Sequence, residues 1–141
     1  MKFIVHTDGG ARGNPGPAAI GVVIEKIADG KPSIVDEFGK EIGEATNNVA
    51  EYTAVAHALR AIKQRAGESP DIDCYLDSTL VVNQLNGIFK IKDAALRSLA
   101  TDIRILETEI GGAVHYVAIP REQNRRADFL VNQALDNLMS A

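Results

Sequence analysis

Apolar positions along this chain follow two different periods, and the change from one to the other divides it. Residues 3–8, Phe-Ile-Val-His-Thr-Asp, form a short apolar run that stops at a carboxylate. A stretch rich in glycine and proline, Gly9 to Pro17, follows and reads as a turn. Residues 18–27 are almost continuously apolar and predict a second strand. Residues 33–42 predict a third, alternating around Ile34, Asp36, Phe38 and Ile42. Asp29-Gly30 is a hairpin signal, although the distance to the next apolar run predicts a loop of several residues. Three consecutive strands joined by turns make an antiparallel meander.

After residue 45 the period lengthens. Thr46-Asn47-Asn48 offers helix-capping side chains, and Glu51 follows in the first turns. Tyr52, Val55, Ala56, Leu59 and Ile62 recur at helical spacing to about Arg65, with Gly67 and Pro70 closing the helix. Residues 72–76 predict a short strand ending at Asp77. Ser78 caps a second helix carrying Val81, Val82 and Leu85, which stops at Gly87. Asp93 caps a third, with Leu96, Leu99, Ile103 and Leu106 on one face. Residues 113–119 predict a fifth strand. A last helix opens near Asn124 and turns Ala127, Val131, Ala134, Leu135 and Leu138 inward.

The element order is βββαβααβα. It predicts one α/β domain over residues 1–141, a mixed five-stranded sheet of order 3-2-1-4-5 with helices on both faces. Right-handed crossovers set the last two strands parallel to the first.

On that topology Asp8 and Asp77 end neighbouring parallel strands at one sheet edge, where open α/β sheets place their ligands. Glu51 and Asp128 lie near the starts of helices that reach the same edge. Helix N-termini offset part of the repulsion among four acids. The rest calls for hard cations, magnesium or manganese. Carboxylates that hold two metal ions and perform hydrolysis point to phosphodiester chemistry, one ion aiming a water and the other stabilising the leaving oxygen.

Charge bears on this reading. The net charge of -4 alone argues against nonspecific nucleic-acid binding. The four clustered acids account for it: 19 acidic residues less these four leave 15, against 15 basic ones. Neutralised by metal, the surface is balanced, and modest affinity for a nucleic acid is expected. The composition, 45% hydrophobic and 24% charged, is that of a soluble globular protein. The amino terminus enters a strand pattern directly, and the apolar runs are too short to cross a membrane. The lone Cys74 reads as a small core residue in a reducing compartment. A cytoplasmic monomer with no obligate protein partner is expected.

Other chemistries fit less well. Gly9 to Gly16 lack the Gly-Lys-Ser/Thr of a phosphate-binding loop, and no helix starts there. His6, His57 and His115 have no zinc-site spacing. Ser78 has no base beside it and is explained as a helix cap. Lys90, Lys92, Arg97 and Arg104 form a thin basic stretch, most simply a solvated face.

Four separate segments resemble the type 1 ribonuclease H family, in that family's order. They are Thr7-Asp8-Gly9-Gly10-Ala11-Arg12-Gly13-Asn14-Pro15-Gly16, Thr46-Asn47-Asn48-Val49-Ala50-Glu51, Leu76 to Gln84, and Pro120 to Asp128. The resemblance implies endonucleolytic hydrolysis of the RNA strand of an RNA–DNA hybrid, leaving 5′-phosphate and 3′-hydroxyl ends. It implies two Mg2+ ions with bound substrate, with Mn2+ as an alternative. Asp8 would bridge the ions, Asp128 would share the water-activating one, and Glu51 and Asp77 would share the other. Glu51 would also accept a hydrogen bond from a ribose 2′-hydroxyl, which deoxyribose lacks. Gly9, Gly10, Ala11, Arg12 and Gly13 would approach the minor groove. Asn14, Asn47 and Gln84 would contact sugars or base edges, and Thr46 with Asn14 would hold a phosphate of the DNA strand.

Two departures from the family pattern stand out. The better-known bacterial members carry a histidine loop before the last aspartate; here Ala118 to Glu122 is short and has no histidine. Arg121, Glu122 and Asn124 are the auxiliary candidates at that place. Those members also carry a basic protrusion after the second helix. Here Gly87 to Lys92 leads almost directly into the next helix, so weaker and more salt-sensitive hybrid binding is expected.

Overall fold

The computed structural model of the protein describes residues 1–67 and 69–140. Strands β1 (Lys2–Ala11), β2 (Gly16–Ala28) and β3 (Lys31–Ala45) form the meander. Helix α1 (Asn47–Arg65), strand β4 (Asp71–Leu76), and helices α2 (Thr79–Leu85) and α3 (Ala94–Ile110) follow. Strand β5 (Ala113–Ala118), a 3-10 turn at Arg121–Gln123 and helix α4 (Arg125–Ser140) complete the order. The sheet runs β3-β2-β1-β4-β5. β1 is antiparallel to β2 and parallel to β4, and β4 is parallel to β5. Fold class and strand order agree with the sequence reading.

Caps account for the helix starts. Thr46 accepts from the Val49 amide at 3.2 Å, Ser78 from Val81 at 3.3 Å and Asp93 from Leu96 at 3.0 Å. Gly111 ends α3 in the left-handed region, φ 75°. The main core lies on one sheet face, where Phe3, Val5, Ile72 and Cys74 meet the buried faces of α1 and α3. Burial pushes the Cys74 thiol up to about 12, consistent with an inert core residue. α4 covers part of the opposite face, packing Val131 and Leu135 on Ala19.

Three local expectations need correction. β1 does not stop at Asp8: Gly9, Gly10 and Ala11 stay in the sheet opposite Ile20, Ala19 and Ala18. The Asp29-Gly30 connection is a two-residue turn, with φ 53° at Asp29 and 75° at Gly30, because both flanking strands extend to meet it. In α4 Leu138 is 38% exposed, whereas Leu130 is buried on the sheet.

Two glycines explain how α4 sits so close. Asp8, Gly21 and Gly39 are successive cross-strand neighbours on β1, β2 and β3. A Cβ on Gly21 would lie 3.2 Å from the Leu130 Cβ and closer still to the Ala127 carbonyl oxygen. A Cβ on Gly39 would meet the Leu130 backbone in the same way. The bare row lets the backbone of α4 rest directly on the sheet.

Candidate active site

The sheet register sets the first two acids. His6 pairs with Tyr75 across the parallel β1–β4 ladder, so Asp8 and Asp77 each stand two residues further along. Gly9 brings in the third. Its missing Cβ would lie 2.6 Å from the Glu51 nitrogen and would overlap the Ala50 carbonyl, so α1 crosses β1 at this point. Asp128 lies in the first turn of α4, where its amide donates to the Asn124 carbonyl at 3.1 Å.

Asp8, Glu51 and Asp77 each offer an oxygen, and the three lie within 4.8 Å of one another. Asp128 is in hydrogen-bonding range of Asp8. The four thus converge. Burial, with Asp77 and Asp128 nearby, pushes the Asp8 carboxyl up to about 7. Glu51 is likewise raised, by burial first and by Asp8 second. One Glu51 oxygen, Oε2, is buried with no hydrogen-bond partner. Buried acids whose carboxyls are raised, with an orphaned oxygen among them, fit a cationic partner. The donors are all hard oxygens, which suits Mg2+ or Mn2+.

The acids open into a cleft of about 450 Å3, whose walls include Gly9 to Arg12 on β1, Asn47, Arg121, and Asn132 and Leu135 on α4. The glycine stretch is clamped to the start of α1. The Asn47 amide donates to Asn14 Oδ1 at 3.0 Å, and the Ala11 amide donates to Asn47 Oδ1 at 2.8 Å. Asn14, Thr46 and Asn47 therefore have structural tasks. The oxygens of both carboxamides are used internally.

The structure does not bring every expected contact into the cleft. Gln84 is 8% exposed, and both ends of its amide face inward. Its Oε1 accepts from the Tyr52 hydroxyl at 2.7 Å and its Nε2 donates to the Lys90 carbonyl at 3.4 Å. Tyr52 is fully buried, and its hydroxyl needs an acceptor there. Asn124 is also internal: its Nδ2 donates to the Thr7 carbonyl at 2.8 Å, tying the entrance of α4 to the residue before Asp8. Arg121 does reach the site, 3.7 Å from Asp128. Nothing places Glu122 beside the acids.

Sequence reasoning missed Gly21 and Gly39, which seat Asp128 by seating α4. A glycine inside a strand pattern is the signal that could have found them. A second cluster, Asp71, Asp73 and His115, sits at the start of β4 and β5. There the Lys2 ammonium stands 3.0 and 2.9 Å from the two aspartates and offsets half of their charge.

A family model described as reverse transcriptase-like matches residues 6–134. Ribonuclease HI of Halobacterium salinarum is 43% identical over 134 residues, covering 94% of this chain and 63% of that protein. The ribonuclease H1 crystal structure from that archaeon superposes with a TM-score of 0.88 at 41% identity, covering 97% of this chain and 99% of that one. The chain belongs to the type 1 ribonuclease H family. LC11 ribonuclease H1, solved in complex with an RNA/DNA hybrid, has the same TM-score, identity and coverage. A bifunctional protein of Mycobacterium tuberculosis is 39% identical over 137 residues. The chain spans 36% of the length of that relative.

Against the family pattern, residues 86–93 join α2 directly to α3, with no helix between them. The connection from β5 to α4 is the single 3-10 turn bearing Arg121. Both departures expected from the sequence are present. No helix among the described residues is long and apolar enough to cross a membrane.

Proposed function

We propose that this chain hydrolyses the RNA strand of RNA–DNA hybrids, leaving 5′-phosphate and 3′-hydroxyl ends. The observation that supports it most directly is the convergence of Asp8, Glu51, Asp77 and Asp128, with an orphaned oxygen and raised carboxyls, in an open cleft. The hybrid held by a relative of equal TM-score supports the substrate class.

These four residues would hold two Mg2+ or Mn2+ ions. When bound, such ions activate a water for in-line attack at phosphorus and stabilise the departing 3′ oxygen. The chain's own groups do the selecting. Glu51 lines the cleft, where a carboxylate oxygen suits a ribose 2′-hydroxyl. Gly10 lines the cleft with bare backbone, where a Cβ would fill the space up to ordinary contact with Val131 at 3.8 Å and Asn47 at 4.0 Å, so a sugar edge can approach the backbone. Arg121, beside Asp128, supplies positive charge at the place where the family's better-known bacterial members carry a histidine.

The test is cleavage of an end-labelled hybrid with Mg2+ or Mn2+, beside double-stranded RNA and double-stranded DNA of the same sequence. Wild type is expected to cut only the RNA strand of the hybrid. Asp8→Asn is expected to lose at least about 100-fold in rate. Metal-dependent cleavage retained by Asp8→Asn, or equal cutting of all three duplexes, would overturn the proposal.

A further inference from the structure

The glycine stretch carries one strong charge, and its partner lies on a different element. Arg12 follows the last paired residue of β1 and lines the cleft. Its Nη2 lies 2.6 Å from Oδ1 of Asp136 on α4. The Arg12 backbone is fixed independently of this pair. Its amide donates to the Pro17 carbonyl at 2.8 Å, and its own carbonyl lies against Gly16 so closely that a Cβ there would overlap it. The guanidinium therefore swings from an anchored base.

Both side chains are solvated, at 36% and 66% exposure. A solvated ion pair of this kind is screened by water and salt and can exchange for another anion. The cleft walls are dominated by acids, and Arg12 and Arg121 are the cations among their lining residues. Arg121 already faces Asp128. A nucleic-acid backbone entering this cleft meets Arg12 as the cation outside the acidic cluster, and meets it occupied.

We propose that Asp136 sets substrate affinity by competing with a backbone phosphate for Arg12. This rests on the hybrid-nuclease reading above. In the free protein the carboxylate holds the guanidinium, and on binding the guanidinium turns to a phosphate. Asp136 then stands unneutralised near the substrate and repels it. The residue acts on binding through Arg12 and does not touch the reacting atoms.

Asp136→Asn removes the competitor. It is expected to lower KM several-fold at low salt, with kcat unchanged. A freed Arg12 adds about one phosphate contact, so the slope of log affinity against log salt steepens by about 0.9. Removing any anion near the cleft would also help, whatever Arg12 does. Arg12→Ala/Asp136→Asn measures that general part against Arg12→Ala alone.

The experiment is fluorescence anisotropy of a labelled hybrid across roughly 50–200 mM KCl. It compares wild type, Asp136→Asn, Arg12→Ala and the double variant, with kcat and KM from the cleavage assay. A larger gain from Asp136→Asn with Arg12 present than with it absent, and a steeper slope, is the expected result. Equal gains in both backgrounds would reduce the effect to simple repulsion and overturn the proposal. Weaker binding by Asp136→Asn would overturn it too, showing that the pair preorganises the glycine stretch. If wild type binds no hybrid, the functional reading fails and this inference falls with it; if wild type binds and the variants match it, this inference alone fails.

Discussion

Asp8 is a carboxylate kept where a carboxylate is expensive. It is 7% exposed, and its carboxyl is pushed up to about 7 by burial first and by Asp77 next. In the unfolded chain the same group titrates near its ordinary 3.8. Between those values the native state holds a proton that the unfolded chain has released. Its stabilising contribution is therefore complete below about pH 4 and is lost as pH rises through about 7. Metal-free protein, kept so with a chelator, should lose on the order of a few kcal/mol over that range, read from urea midpoints. Asp8→Asn cannot ionise, so it should be more stable than wild type at pH 8 without metal and should flatten the dependence. A destabilised Asp8→Asn at pH 8 would show that the cluster is held by contacts other than those described. Added Mg2+ should recover wild-type stability at pH 8 and leave Asp8→Asn nearly unmoved, because only the charged cluster gains a partner.

At the scale of elements, the site depends on how closely two helices approach the sheet. α1 rests on Gly9 and delivers Glu51, and α4 rests on Gly21 and Gly39 and delivers Asp128. Gly21→Ala inserts a methyl against the Ala127 carbonyl and the Leu130 Cβ, so α4 must move outward. The expected cost is about 1–3 kcal/mol. The expected loss of kcat is larger than this destabilisation implies, since the displaced element carries Asp128. Urea unfolding and single-turnover rates on one preparation would separate the two. A variant with lowered stability and unchanged kcat would mean that α4 tilts without moving Asp128.

The same contacts mark what the sequence disclosed and what it withheld. The helix starts at Thr46, Ser78 and Asp93 were legible because each cap is local chemistry, settled within four residues. Asp8, Glu51, Asp77 and Asp128 were legible because acids in otherwise apolar settings stand out, and the order of elements brings them to one edge. The extension of β1 through Gly9, Gly10 and Ala11 was not. A glycine run resembles a turn until its partners on β2, Ile20 to Ala18, are known. The internal place of Gln84 was hidden for a similar reason. Its acceptor is claimed by Tyr52, 32 residues away and on another helix.

At the scale of the whole molecule, charge limits how tightly this chain can hold a nucleic acid. The net charge of -4 is carried by the four clustered acids, so two bound dications would bring the formal charge to zero. Cleavage chemistry is then possible without any general attraction for phosphate. The cations near the cleft are few. Arg12 is paired with Asp136 and Arg121 faces Asp128, and the short connection from α2 to α3, with Lys90 and Lys92, stands in place of a basic protrusion elsewhere on the surface. A protein with about three or four phosphate contacts should lose roughly 40- to 150-fold in affinity between about 50 and 200 mM salt. Filter-binding titrations with a hybrid should therefore give tight complexes only at low salt, and KM should climb steeply with KCl while kcat stays nearly level. Nanomolar affinity at 200 mM salt would contradict this directly. It would require base-edge and sugar contacts, from Gly10 or the NH2 groups of Asn14 and Asn47, to carry the binding that the charge balance denies to the phosphates.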